Sequence, residues 1–199
     1  LFSAGVLKRE VEYFIDWYCG RHLNLTLSPA DLRILRDSFL RIIDQALGQP
    51  QVFTHRDYHS RNLIWLPTKK TIGVIDHQDA IRGPLTYDLA SLLCDAYIRW
   101  PEIMVSQWVR HFYQVWVDDT HADVSEKQLR VWFDMVVMQR HFKVAGIFSR
   151  LAYRDKKTHF LNHIPTSLYY LQQYSARYPE LESLHRLLQR LSPDTATNP

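Results

Sequence analysis

The feature that most constrains this sequence is a change of period near its middle. Apolar residues recur at helical spacing up to Gly48 and again from Tyr87 onward, and the stretch between them does not follow that rule. Before it, Leu7, Val11, Phe14, Ile15 and Tyr18 share one helical face. Asn24 to Leu27 reads as a connector. Ser28-Pro29-Ala30-Asp31 then opens a second helix, with Ser28 placed to cap, Pro29 at the first helical position and Asp31 where a capping-box acid stands. Leu32, Leu35, Phe39, Ile42, Ile43 and Leu47 mark its buried stripe, and Gly48 with Pro50 stops it. In the middle, residues 51–54, 62–66 and 71–76 read as short strands, the last two joined by the turn Pro67-Thr68-Lys69-Lys70 into a hairpin with an apolar centre. Five more helices are predicted over 87–98, 102–117, 125–151, 165–177 and 180–191, with Pro101, Pro165 and Pro179 near three starts. The chain therefore reads as mostly α with a small β insert.

Composition narrows what such a chain can be. With 199 residues it can bury a real core in one compact domain or two small lobes. A content of 46% hydrophobic and 23% charged residues excludes a disordered chain or a coiled coil. The net charge of +3, with no basic run beyond Lys69-Lys70 and Lys156-Lys157, speaks against a nucleic-acid partner held through phosphates. No apolar run approaches bilayer length, so no membrane partner is expected. Cys19 and Cys94 stand far apart in segments of helical pattern, which suggests a reducing, cytoplasmic setting. The opening residues reach Lys8-Arg9-Glu10 too soon for a signal peptide and lack an initiator Met, so position 1 is expected to lie inside a longer chain. Residues 192–199 are expected to form a flexible tail.

The chemistry gathers in the β insert. His55-Arg56-Asp57-Tyr58-His59-Ser60-Arg61-Asn62 has the spacing H-x-D-x-x-x-x-N and falls between two strand candidates. Fourteen residues after Asn62 a hydrophobic strand ends at Ile75-Asp76. Phosphoryl transfer needs one carboxylate to orient the acceptor hydroxyl and take its proton, and a second carboxylate plus an amide oxygen to hold Mg²⁺ against phosphates. Asp57 suits the first role, and Asn62 and Asp76 the second. Turn and strand-end duties are the competing explanation for these residue types.

On the loop His55–Asn62, the strand end Ile75-Asp76 and the run Gly83-Pro84-Leu85-Thr86-Tyr87-Asp88-Leu89-Ala90, the sequence resembles the aminoglycoside phosphotransferase and choline kinase-like superfamily. The phrasing Thr54–Asn62 followed by Gly73-Val74-Ile75-Asp76-His77-Gln78-Asp79-Ala80 is most similar to a bacterial branch of that superfamily. Its members phosphorylate the anomeric hydroxyl of N-acetylmuramate or N-acetylglucosamine in cell-wall recycling. The resemblance implies a protein-kinase-like fold and an enzyme that uses ATP and Mg²⁺ on a small-molecule hydroxyl. By position it implies Asp57 as catalytic base and Asn62 and Asp76 as nucleotide- and metal-binding residues. His55 and Asp88 become structural support, Asp88 by capping a helix and bracing the loop. His77-Gln78 stands where protein kinases carry Phe-Gly, and no activation segment ending Ala-Pro-Glu follows, so the acceptor is expected to be a small molecule. Aminoglycoside, choline and homoserine kinases, or a non-catalytic binding module on the same scaffold, are the alternatives.

The six glycines are Gly5, Gly20, Gly48, Gly73, Gly83 and Gly146, and neither G-x-G-x-x-G nor G-x-x-x-x-G-K can be written. No strand candidate ahead of the loop carries a phosphate-pairing Lys. The expectation is a C-terminal lobe over residues 1–191 without its N-terminal β lobe: catalytic loop 54–62, metal-binding hairpin 62–79 and helical acceptor region 87–191. Alone it is expected to be inactive, with Leu63, Ile64 or Ile75 exposed on the cleft face and able to drive self-association. In the superfamily the later helices line the acceptor pocket. Arg140, His141 and Lys143, polar positions in an apolar stripe, are candidates to meet a lactyl carboxylate or a phosphate, with a solvated face as the plainer explanation. Asp95, Asp134 and Asp155 are too scattered in sequence to suggest a site for a cationic acceptor. His159-x-x-x-His163 lacks the Glu of a zinc-protease helix, and Trp100, Trp108 and Trp116 fit helix packing.

Overall fold

The computed structural model describes residues 4–192, so the predicted tail lies outside the described residues except for Ser192. The chain divides into two compact units. One is residues 45–137, and the other joins residues 4–44 to the described residues from 138 on. Helix α1 (Ala4–Tyr13) continues as a π-helical segment, Phe14–His22. Helix α2 (Pro29–Leu47) starts as its sequence predicts: the Asp31 amide donates to the Ser28 hydroxyl oxygen at 3.1 Å, and the hydroxyl donates to the Asp31 carboxylate at 2.8 Å. Helix α5 (Glu126–Tyr153) crosses the unit boundary, followed by α6 (Ile164–Ser175) and α7 (Glu182–Leu191).

Within the second unit, Phe14 stacks on Tyr18 and meets Phe142 edge-on, and Phe39 meets the same Phe142 at 4.6 Å. The Tyr18 hydroxyl, buried with that ring, donates to the Leu191 carbonyl at 2.7 Å. Gly146 permits α5 to touch the place where α1 becomes π-helical. A Cβ there would stand 2.6 Å from the Phe14 nitrogen and 2.7 Å from Tyr13 Cβ.

In the first unit, strands β1 (Gln51–Thr54), β2 (Leu63–Leu66), β3 (Thr71–Val74) and β4 (Ile81–Pro84) form two separate antiparallel pairs. The β2–β3 hairpin has the expected turn, with Leu63 opposite Val74 and Leu66 opposite Thr71. One further bond, from the Ile75 amide to the Asn62 carbonyl at 3.1 Å, continues the same register, and the ladder stops short of the predicted end where Asp76 adopts a left-handed backbone. Its apolar centre is not buried: Ile64, Trp65, Ile72, Val74 and Ile75 are all exposed. Strand β4 was not predicted. It pairs with β1, Val52 opposite Gly83 and Thr54 opposite Ile81.

Helix α3 spans only Tyr87–Leu93, not 87–98. The physical reason is Asp95, whose carboxylate accepts the Tyr97 amide two residues on at 3.0 Å, a local turn that competes with further helix. Helix α4 (Glu102–Thr120) follows. Glu126 pairs with Arg110 at 3.2 Å and Arg130 at 2.8 Å, and Arg130 reaches the Ser106 hydroxyl at 3.0 Å and carbonyl at 3.1 Å, fixing α4 to the start of α5. At the other end, the buried Gln49 side-chain oxygen accepts both the Thr86 amide and the Thr86 hydroxyl at 2.9 Å, which sets the entry of α3 beside the start of β1.

Candidate active site

Residues 55–62 leave β1 and return into β2, and their backbone is held from three directions. Asp88, in the first turn of α3, accepts the His55 amide at 2.6 Å and the Arg56 amide at 3.0 Å. It does not cap its own helix; both carboxylate oxygens serve the loop. The buried His55 ring holds the second side. Its Nε2 lies 2.9 Å from the Ile75 carbonyl oxygen, an acceptor only, so Nε2 carries the proton in this bond. The third hold is internal, where the Asn62 side-chain amide donates to the Asp57 carbonyl at 2.9 Å.

These bonds bring two separate stretches of sequence together. Ile75 is bonded at both backbone ends to the loop, through Asn62 and through His55, so Asp76 leaves β3 beside Asn62. Arg56 (φ 77°) and Asp76 (φ 68°) are both left-handed without being glycine. Backbone strain of this kind persists where surrounding bonds over-determine it, and it concentrates at functional sites. Asp57 is half-buried, and Asp76 is exposed with one carboxylate oxygen accepting from the Gln78 side-chain Nε2 at 2.6 Å.

The donor set suits Mg²⁺. Because the Asn62 nitrogen is engaged by the loop, its side-chain oxygen is the atom that could meet a metal, and Asp76 could offer a carboxylate oxygen. Hard oxygen donors in small number, the rest coming from water and phosphate, are what this ion takes. Among the described residues no three His, Cys, Asp or Glu side chains converge on a metal position.

A cavity of about 340 Å³ opens beside the loop, lined by Phe53, His55, Tyr58, Val74, His77 and Asp88. Of the remaining sequence candidates, Arg140, His141 and Lys143 belong to the other unit. Arg140 and His141 are buried, His141 stacked on Tyr170 at 4.6 Å, and Lys143 lies 3.3 Å from Glu10, so none of the three stands on a solvated face. Glu10 also accepts the Gln139 amide at 2.7 Å. No helix among the described residues is long and apolar enough to cross a membrane.

Sequence reasoning passed over Asp95 as a scattered acid. It accepts the Ser60 hydroxyl at 2.7 Å and lies 3.4 Å from the Ser60 amide. The Arg61 guanidinium sits 3.5 Å over the Tyr97 ring, and His59 meets that ring edge-on at 5.6 Å. Burial pushes the Tyr97 hydroxyl above its ordinary range, with Arg61 acting against that and the Asp95 and Asp57 carboxylates adding to it.

Loop, strand end and helix together match a known class. Residues 5–124 fit the model of the phosphotransferase enzyme family, and the chain belongs to that family. It is 36% identical to an N-acetylmuramate/N-acetylglucosamine kinase of Pseudomonas putida, over 96% of this chain and 56% of that protein. Proteins of the same name from Pseudomonas aeruginosa and Neisseria meningitidis are each 38% identical, over 96% and 97% of this chain and 56% and 58% of their own lengths. The chain thus spans about half the length of the curated relatives it matches. The resemblance carried by residues 54–62 and 73–90 holds at the level of the family.

Proposed function

We propose that these residues are the catalytic-loop lobe of a kinase that transfers the γ-phosphoryl group of ATP to the anomeric hydroxyl of an amino sugar, N-acetylmuramate or N-acetylglucosamine. The observation that supports this is the pair of hydrogen bonds tying Ile75, the residue before Asp76, to the 55–62 loop, one from its amide to the Asn62 carbonyl and one from the His55 ring to its carbonyl. The names of three relatives support the acceptor class.

In this reading Asp57 orients the sugar hydroxyl and takes its proton as the new P–O bond forms and the bond to the leaving ADP oxygen breaks. Asn62 and Asp76 would hold Mg²⁺, which would supply charge neutralisation for the phosphates. His55 and Asp88 touch neither reactant; they fix the loop backbone so that Asp57 is presented in one geometry, and positioning is where most of the rate in such transfers originates. The nucleotide cover is supplied by residues outside this sequence, a reading supported by the absence of any glycine-rich phosphate loop in it and by the length of the relatives.

The test is phosphoryl transfer by the full-length protein from Mg·ATP to N-acetylmuramate, N-acetylglucosamine, choline, homoserine and an aminoglycoside, with the 199-residue chain alongside. Transfer to an amino sugar by the full-length protein only is expected. Asp57→Asn should abolish it while nucleotide still binds. Transfer to choline or an aminoglycoside alone would overturn the acceptor, and activity of the short chain would overturn the account of where ATP is held.

A further inference from the structure

The loop bearing Asp57 is clamped by both ends of one short helix. Asp88, one residue into α3, takes the amides of His55 and Arg56; Asp95, two residues past its end, takes Ser60. The seven residues of α3 are about 10 Å of rigid rod between the two attachments. Asp57, Tyr58 and His59 are the residues strung between them. The Asp88 end belongs to the pattern the family resemblance already implies. The Asp95 end does not.

Asp95 is only 4% exposed, so a bulky acceptor does not reach it directly. Its two oxygens are both engaged on backbone-shaping duties: one accepts the Tyr97 amide, the other the Ser60 hydroxyl. The first bond fixes the turn that presents Tyr97. The Tyr97 ring in turn lies under Arg61 and against His59, so three consecutive loop residues, 59 to 61, rest on the 95–97 turn. An isolated antiparallel backbone bridge between Cys94 and Arg99 flanks that turn. Every displacement of the turn is therefore handed to the loop immediately after Asp57 and immediately before Asn62.

We propose that Asp95 is a positioning residue for the Asp57–Asn62 loop, acting through the Ser60 hydroxyl, with Tyr97 as the platform under Arg61 and His59. Its kinetic consequence rests on the phosphotransfer reading above; its structural consequence does not. The acid sets where Asp57 and Asn62 stand and makes no contact with either reactant.

The experiment uses the full-length protein and the variants Ser60→Ala, Ser60→Thr, Asp95→Ala, the double variant Ser60→Ala/Asp95→Ala, and Tyr97→Phe. A misplacement of about an ångström costs on the order of 100-fold in rate, so Ser60→Ala and Asp95→Ala should each lower kcat by roughly 10- to 100-fold with KM for ATP and sugar within about threefold. The double variant should be no worse than Asp95→Ala, because the two act as one unit. Ser60→Thr, which keeps the hydroxyl, and Tyr97→Phe, which keeps the ring, should stay near wild type. A raised sugar KM at unchanged kcat, or losses that multiply in the double variant, would overturn the proposal. Should Asp95→Ala fail to fold, the contrast between Ser60→Ala and Ser60→Thr carries the test alone. If the wild-type protein transfers no phosphate, the functional reading falls, and the positioning claim is read instead from amide hydrogen exchange. Exchange across residues 58–62 should quicken in Ser60→Ala and not in Ser60→Thr, and equal protection in both would overturn it.

Discussion

At the residue scale, Gln49 carries a buried polar contact outside the loop. Its one oxygen satisfies two donors of Thr86 in a site from which water is excluded. Gln49→Ala leaves both without an acceptor, a loss of ~2–4 kcal/mol that urea unfolding of the chain should read directly. Asp31 illustrates an opposite, screened case. The Ser28 hydroxyl first, and the Arg190 guanidinium 2.5 Å away, hold its carboxyl below the ordinary value. The unfolded carboxyl takes up its proton at higher pH than the folded one. The stabilisation is therefore complete above about pH 4 and is lost as pH falls through the lowered folded value. Arg190 is well exposed, so the effect is small. Ser28→Ala should cost ~1 kcal/mol at neutral pH and less in acid, measured by denaturant unfolding at both. The Ser28–Asp31 pair was legible in the sequence because both partners lie within one helical turn. Gln49 and Thr86 were not, because nothing local marks residues 37 apart in sequence as partners.

At the scale of elements, the helices declared themselves through their stripes and the short strands less completely. Strand β4 escaped because Arg82-Gly83-Pro84 carries turn residues, and only its pairing with β1 makes it a strand. Helix α3 was overextended because Asp95 and Tyr97 fit a helical pattern, while the side chain of Asp95 in fact folds back on the backbone. His55 and Asp88 were readable only through family resemblance; spacing alone does not say that an acid 33 residues on meets the loop. The junction of α5 with α1 makes a sharper prediction. Since a Cβ at Gly146 would fall 2.6 Å from the Phe14 nitrogen, Gly146→Ala must push the helices apart. A loss of about 3 kcal/mol is expected, the upper part of what overpacking costs. Thermal unfolding would show it, and an unchanged Tm would mean that the close approach is not required.

At the scale of the whole molecule, the strand pairs of the first unit carry large apolar side chains that the chain does not cover. Phe53, 73% exposed, stands on β1; Trp65, 60% exposed, shares one face of the β2–β3 hairpin with Ile72 and Val74, Ile64 lies on the other face, and Ile75 follows just beyond β3. Apolar surface of this kind marks an interaction site or an aggregation liability. The 199-residue chain should therefore show a mass that rises with concentration in sedimentation equilibrium, and Trp65→Ser with Ile72→Ser should return it toward monomer. A concentration-independent monomer would count against this. The short helix between the two acids has one more consequence. Seven residues are too few to hold a helix together in water, so α3 persists through its tertiary contacts, the burial of Tyr87, Ala90, Ser91 and Leu93 together with the loop bonds of Asp88 and Asp95. Helix and loop must then melt as one cooperative event. On heating, amide-exchange protection of α3 and of residues 55–62 should therefore be lost together, in a single step.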